Sequence, residues 1–244
     1  MNFYNNEKIF NAFLNERNDV ESPFNFQVKP VMLNFMEDIT NKSILDLGCG
    51  LGHFSEELSK LGAKNVLGID ISEKEISYAT SHHKPTNVEY KVLNALNLTE
   101  LNQTFDIISS GIVVDYVENF DELLKQVYNC LNNDGIFVFS QVHPFSTSPK
   151  EKRKWLCDEK SRYIYQLCDY SFEGKREMNY FDGKVEMYHR TFSTLINSIL
   201  KAGFNIEQIA EPVPNDKELQ KYPDRIKNLH KPSFLIFKLS KKNR

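Results

Sequence analysis

The stretch Ile44-Leu45-Asp46-Leu47-Gly48-Cys49-Gly50-Leu51-Gly52-His53-Phe54 decides the fold. An apolar run suited to a buried strand meets three glycines at alternate positions, and an amphipathic pattern then begins at Phe54, Glu57, Leu58 and Leu61. The order is strand, tight turn, helix. Glycine suits such a turn because the backbone needs positive φ, and because a missing Cβ lets a ligand lie against the main chain. A dinucleotide-binding turn asks for G-x-G-x-x-G, whose third glycine would fall on residue 53, and that is His53. Asp46 stands two residues before the first glycine, where a carboxylate repels a pyrophosphate and attracts a cation. The ligand expected on this turn therefore carries positive charge.

Outward from the turn, strands and helices alternate. Ile44 to Leu47 reads as strand one, His53 to Leu61 as its helix, and Val66 to Ile69, closed by Asp70, as strand two. Ser72 with Glu75 three residues on has the capping-box spacing and opens a helix through Ala79. Val88 to Val92, Phe105 to Ser109 and Ile136 to Val142 read as strands three to five, with a helix over Phe120 to Leu131. Repeated β-α units with apolar strands predict an α/β fold, a parallel sheet with helices on both faces. Residues 1–40, with Tyr4, Phe24 and Phe26, read as a helical cover, and 41–143 as the ligand-binding core of a single domain spanning 1–244. The rhythm breaks at 144–190, a charged and aromatic stretch read as a cap insertion. It resumes at 191–244 with a helix over Ser193 to Ala202, ended by Gly203, and strands over Phe204 to Ile209 and Ser233 to Leu239.

Asp46-Leu47-Gly48-Cys49-Gly50-Leu51-Gly52 resembles the first motif of the class I S-adenosylmethionine-dependent methyltransferases, whose cofactor carries a sulfonium and an ammonium group. Gly68-Ile69-Asp70-Ile71-Ser72 resembles the second, Leu93-Asn94-Ala95 the third and Phe105 to Val117 the fourth, all in the family's order over about residues 40 to 140. The resemblance implies a doubly wound, Rossmann-like sheet of seven strands, with the last antiparallel and inserted between the fifth and sixth. It also implies S-adenosyl-L-methionine as cofactor, contacted by Asp46, Gly48, Cys49, Gly50, Gly52, Asp70, Ile71, Asn94, Ala95 and Ser110. Asp70 would hold the ribose hydroxyls and Ile71 would pack on the adenine. Asn94 stands where the family usually has aspartate, and its amide oxygen would take over the adenine contact. The Asn-Pro-Pro-Tyr type of sequence used for amino groups of bases or glutamine is absent.

Ligands of such sheets bind at the carboxyl ends of the strands. His143 ends strand five, which makes it a candidate base or substrate contact, set against a histidine that only fixes a strand-to-loop turn. His189 is the second catalytic candidate, set against a role in tying the insertion to the core. Tyr116, Trp155, Tyr165, Tyr180 and Tyr188 are candidate acceptor contacts, and Arg153, Arg162, Arg176 or Arg190 could hold an anionic group. The chain's 244 residues carry a net charge of -3, which argues against a broad nucleic-acid footprint. Four cysteines show no zinc or redox spacing, and no run approaches the ~20 apolar residues of a membrane span. The expectation is a cytoplasmic monomer or homodimer, without bound metal or membrane partner, that methylates a small molecule at oxygen or nitrogen. Methylation of RNA or protein, or a non-catalytic cofactor-binding regulator, are the alternatives.

Overall fold

The computed structural model describes residues 22–151, 155–159, 162–180 and 183–241, together with Phe10 and Leu14. In chain order its strands are β1 Ser43–Leu47, β2 Asn65–Asp70, β3 Val88–Val92, β4 Phe105–Gly111, β5 Leu131–Val142, β6 Leu156–Cys157, β7 Tyr163–Ile164, β8 Gly174–Tyr180, β9 Gly183–His189, β10 Phe204–Ala210 and β11 Phe234–Lys241. The helices are α1 Lys29–Met36, α2 His53–Lys60, α3 Glu73–His82, α4 Phe120–Cys130, α5 Pro144–Thr147, α6 Phe192–Lys201 and α7 Asp216–Lys221. The main sheet runs β10-β11-β5-β4-β1-β2-β3. β11 is antiparallel to both of its neighbours, whereas β1 to β5 pair in parallel. This is the expected Rossmann-like sheet.

Both faces of the sheet are buried, so the strands read as nearly continuous apolar runs. On one face Leu45, Leu47, Ile108, Phe137, Phe139 and Phe237 pack with Leu123 and Val127 of α4 and Leu195 and Ile199 of α6. Phe139 stacks on Phe137 and Phe237 at 4.9 and 5.0 Å. On the other face Ile44, Ile107, Val138 and Ile236 pack with Met32 and Phe35 of α1 and Leu58 of α2. A π-helical turn, Phe24–Val28, leads into α1. It lays the Phe24 ring on Phe54 at 6.2 Å and over Gly111, where a Cβ would come within 3.0 Å of that ring. Phe24 thus covers the carboxyl end of β4; Tyr4 lies outside the described residues.

Ser72 caps the helix as read: the Glu75 amide donates to Ser72 Oγ at 3.3 Å, while the Ser72 amide donates to Asp70. Three details differ from the sequence reading. β5 begins at Leu131, not 136, because Phe105 pairs with Leu131 and Ile107 already with Ile136, leaving residues 132–135 as a bulge tied by Asn132 to Asp106. The insertion holds two small antiparallel pairs, β6 with β7 and β8 with β9; in β9 Val185, Met187 and His189 are buried while Lys184 and Glu186 are exposed, a period of two. The connection after β10 holds α7, capped by Asn215, which accepts from the Glu218 amide at 3.0 Å. Among the described residues no helix is long and apolar enough to cross a membrane.

Arg176 anchors the insertion. Its buried guanidinium donates to the carbonyls of Ser148 and Lys175, both at 3.1 Å, and to that of Phe172. Arg176→Met is expected to strip these carbonyls of their donor, at about 1–3 kcal/mol for each buried group left unpaired. Hydrogen exchange should then quicken in residues 145–190 and leave β1, β4 and β5 protected.

Candidate active site

The glycine turn sits at the carboxyl ends of β1 and β2. Gly48, Gly50 and Gly52 have φ of 74, 53 and 85°, and the amides of Gly48 and Cys49 both donate to the Ile69 carbonyl, at 2.8 and 2.9 Å. A Cβ on Gly48 would come within 2.2 Å of a Val113 methyl, so φ and space exclude a side chain together. Beneath the turn, the buried Asp46 carboxylate accepts from Ser55 Oγ at 2.6 Å and Ser109 Oγ at 3.1 Å. At the end of β2, Asp70 accepts from the amides of Gly50 at 3.1 Å and Ser72 at 2.9 Å. Next along the chain, Ile71 is 46% exposed, an apolar platform beside an acid. Burial first, then the charges of Asp46, Asp70 and Glu75, push the Cys49 thiol well up, so the turn lies in a negative field. Burial likewise raises Tyr90, whose hydroxyl donates to the Gly52 carbonyl at 3.2 Å.

Asn94 Oδ1 accepts from the Leu96 amide at 2.9 Å and so caps the 3-10 turn beginning at Ala95. Ser110 Oγ, fully buried at the end of β4, has no hydrogen-bond partner among the described residues. The loop after β4 is strained. Ile112 has φ of 56°, which a β-branched residue adopts only under constraint, and its amide is held by Ser140 through both carbonyl and hydroxyl at 3.1 Å. That geometry delivers Val113 beneath Gly48 and Asp115 to the amide of Val142, at 2.7 Å.

His143 is buried at the end of β5. The Phe145 amide donates to Nδ1 at 3.1 Å, which makes Nε2 the protonated nitrogen, 2.8 Å from Glu211 Oε1 after β10. Burial lowers its pKa, against the pull of Glu211. His189 bonds Thr147 Oγ1 at 2.8 Å and the Tyr170 carbonyl at 2.9 Å, so it ties the insertion together with both nitrogens in use. Trp155 packs at 5.1 Å from Tyr165 and 6.2 Å from Tyr163. Tyr116 is half-buried in the turn after β4, Tyr188 faces Glu118, and the side chain of Tyr180 lies outside the described residues. The arginines read as anion holders are committed elsewhere: Arg176 as above, Arg190 to the carbonyls of Val114, Val117 and Glu118, Arg162 to Asp158; Arg153 lies outside the described residues. The sequence reading missed Ser55, Val113, Glu211 and the buried Lys231, none of which stands out in the chain, and it also passed over Ser109 next to Ser110, a polar residue in an apolar strand that pairs with Asp46.

Residues 39–201 match the methyltransferase domain family. The chain belongs to the class I S-adenosylmethionine-dependent methyltransferases. A Haemophilus influenzae protein of unassigned function is 34% identical over 246 residues, covering 98% of this chain and 96% of its own. The solved S-adenosylmethionine-dependent methyltransferase of Mesorhizobium loti superposes with a TM-score of 0.79 at 30% identity, over 86% of this chain and 95% of its own. The malonyl-[acyl-carrier protein] O-methyltransferase of Acetivibrio thermocellus is 26% identical over 193 residues, 70% of this chain and 68% of its own. The methyltransferase's turn fits its cofactor, since the negative field around Cys49 suits a sulfonium and an ammonium, and Ile71 beside Asp70 suits a nucleoside.

Two expected outcomes follow from this geometry. Gly48→Ala should destabilise by about 1–3 kcal/mol or more through strain and overlap, and Val113→Ala in the same chain should restore part of the loss in a double-mutant cycle. Burial raises Asp115 to about 7, with Arg190 pulling the other way. In the unfolded chain it ionises near ~4, so the folded state holds the extra proton between, and stability falls as pH rises through that window. Asp115→Asn keeps an acceptor for Val142, so its melting temperature should gain on the parent's from pH 5 to pH 8.

Proposed function

We propose that this methyltransferase methylates an oxygen or nitrogen of a small molecule held between the rim of β4 and β5 and the insertion at 144–190. What supports this is the aromatic wall of Trp155, Tyr163 and Tyr165, contributed by a segment outside the β-α repeat and joined through Lys231 to the chain that enters β11 beside the end of β5. Aromatic side chains line an apolar pocket suited to a flat acceptor and keep water from the reacting atoms.

The cofactor side is assigned to Asp46, Gly48, Cys49, Gly50, Gly52, Asp70, Ile71, Asn94, Ala95 and Ser110. Asp70 takes the ribose hydroxyls, Ile71 the adenine face, Asn94 the adenine edge, and the acid beneath the turn the cationic end. When bound, S-adenosyl-L-methionine supplies a methyl group on a sulfonium, an excellent leaving group. Holding two reactants in line can contribute up to ~7–11 kcal/mol, so alignment is the main task left to the chain. Tyr116, Trp155 and Tyr165 line the acceptor side. His143 and His189 are positioning residues: a proton could enter His143 only at Nδ1, and the Phe145 amide occupies it. Through Glu211 and Phe145, His143 fixes where the insertion starts relative to β10.

Calorimetry with S-adenosylhomocysteine should show one site per chain. Asp70→Asn should weaken it about 10- to 100-fold, the worth of charged hydrogen bonds, and should also lower the melting temperature, because only one oxygen then remains to accept from the Gly50 and Ser72 amides. Release of S-adenosylhomocysteine should be seen with pooled small hydroxyl and amine compounds and not with total RNA or protein. Turnover on RNA or protein alone would overturn the reading. His143→Ala should raise the acceptor KM and leave the shape of the pH profile from 5 to 8 unchanged; a lost limb would restore a base.

A further inference from the structure

The insertion and the residues before β11 enclose a cation with no counter-charge among the described residues. Lys231 is 8% exposed. Its Nζ donates to Ser146 Oγ and lies 4.7 Å from the centre of the Tyr165 ring. An ammonium has three donors, and the other two find no acceptor among the described residues. No carboxylate among those residues reaches it. Buried charges are ordinarily paired, because desolvation without a partner is costly. Arg176 and Arg190 show the usual solution in this chain, several carbonyls around each guanidinium. Lys231 lacks it, and burial brings its pKa down to about 8.

The place matters as much as the charge. β11 runs antiparallel to β5, so the residues just before Phe234 stand at the rim where the β5 strand ends, and the His143 amide donates to the Ser233 carbonyl at 2.8 Å. Ser146 is in α5, at the start of the insertion, and Tyr165 continues into Trp155 and Tyr163. Tyr163 in turn lies 5.9 Å from the His230 ring.

We propose that Lys231 is the anion-binding residue of the acceptor pocket, and that the methyl acceptor carries a carboxylate or phosphate which docks on it while an apolar, flat body lies along Tyr165, Tyr163 and Trp155. This rests on the small-molecule reading above. An incoming anionic oxygen supplies the acceptors that the two spare N–H groups lack, and it neutralises the buried charge. The groups that titrate around Lys231 are Tyr165 facing it, His143 from the end of β5 with Glu211 behind it, and His230 and Tyr163 beside it.

Calorimetry on the full chain saturated with S-adenosylhomocysteine tests this with three probes: benzoate, phenyl phosphate and the neutral benzamide. At least one of the two anions should bind about tenfold or more tightly than benzamide, and the tighter of them identifies the group. The preference should fall about tenfold from pH 7 to pH 9 as the ammonium discharges. Lys231→Met should abolish the preference and leave S-adenosylhomocysteine affinity within about twofold, while Lys231→Arg keeps the preference without the pH dependence. Equal binding of anions and benzamide, no anion binding at millimolar concentration, or a preference that survives in Lys231→Met overturns the proposal. The wild-type comparison decides by itself should Lys231→Met not fold. Failure of S-adenosylhomocysteine to bind in the first step would instead strike at the reading of the site as a whole.

Discussion

The Asp46 carboxylate, clasped by Ser55 and Ser109, is the interaction on which the rest of the site depends. A buried carboxylate is tolerated only where hydrogen bonds replace the water it has lost. Ser109 lies opposite it on β4, and Ser55 is in the first turn of α2, so one acid joins two strands and a helix start. That fixes the path from β1 to α2, and the path requires the three left-handed glycines. The same charge gives the turn its field. Structure and charge meet in one residue, which is why the turn suits a cation where a related turn suits phosphate.

A second constraint comes from the other side of the turn. Ser140 on β5 holds Ile112 in a conformation its side chain disfavours, and the result is Val113 wedged beneath Gly48. The glycine turn is therefore braced from below by Asp46 and from the side by β4 and β5. The insertion is braced in a comparable manner at both ends. His143 and Glu211 fix its beginning; His189, bonded to Thr147 and Tyr170, and Arg190, bonded to the loop after β4, fix its end. A wall pinned at both ends can hold an acceptor in one orientation against the cofactor, and orientation is what methyl transfer needs from a protein.

The cofactor half of the fold was legible in the sequence because its constraints are local. Positive φ demands glycine, an acid beside the turn sets the charge, and Ser72 with Glu75 marks the start of α3 within four residues. Strand order was legible through the resemblance, not through periodicity. The insertion was not legible: its β8 and β9 pairing shows the period of two only once charged positions are separated from buried ones. The spacing of Asn215 and Glu218 is that of a capped helix start, but Pro212, Pro214 and Pro223 around α7 carry the signature of a loop. For His143 the choice between a base and a turn-fixing residue turns on which nitrogen meets the Phe145 amide, and no sequence shows that.

The acceptor half resists a sequence reading for a further reason. Ser146, Tyr165 and Lys231 come from three separate stretches, and none belongs to a motif. Their significance appears only as a balance of donors, acceptors and charge once the chain has folded. A binding turn for a shared cofactor answers to one ligand and can repeat from chain to chain. A pocket for a particular acceptor answers to that molecule alone, so it is to be sought in what the folded protein leaves unsatisfied, and the ammonium of Lys231, with two donors idle among the described residues, is where we place the acceptor's anion.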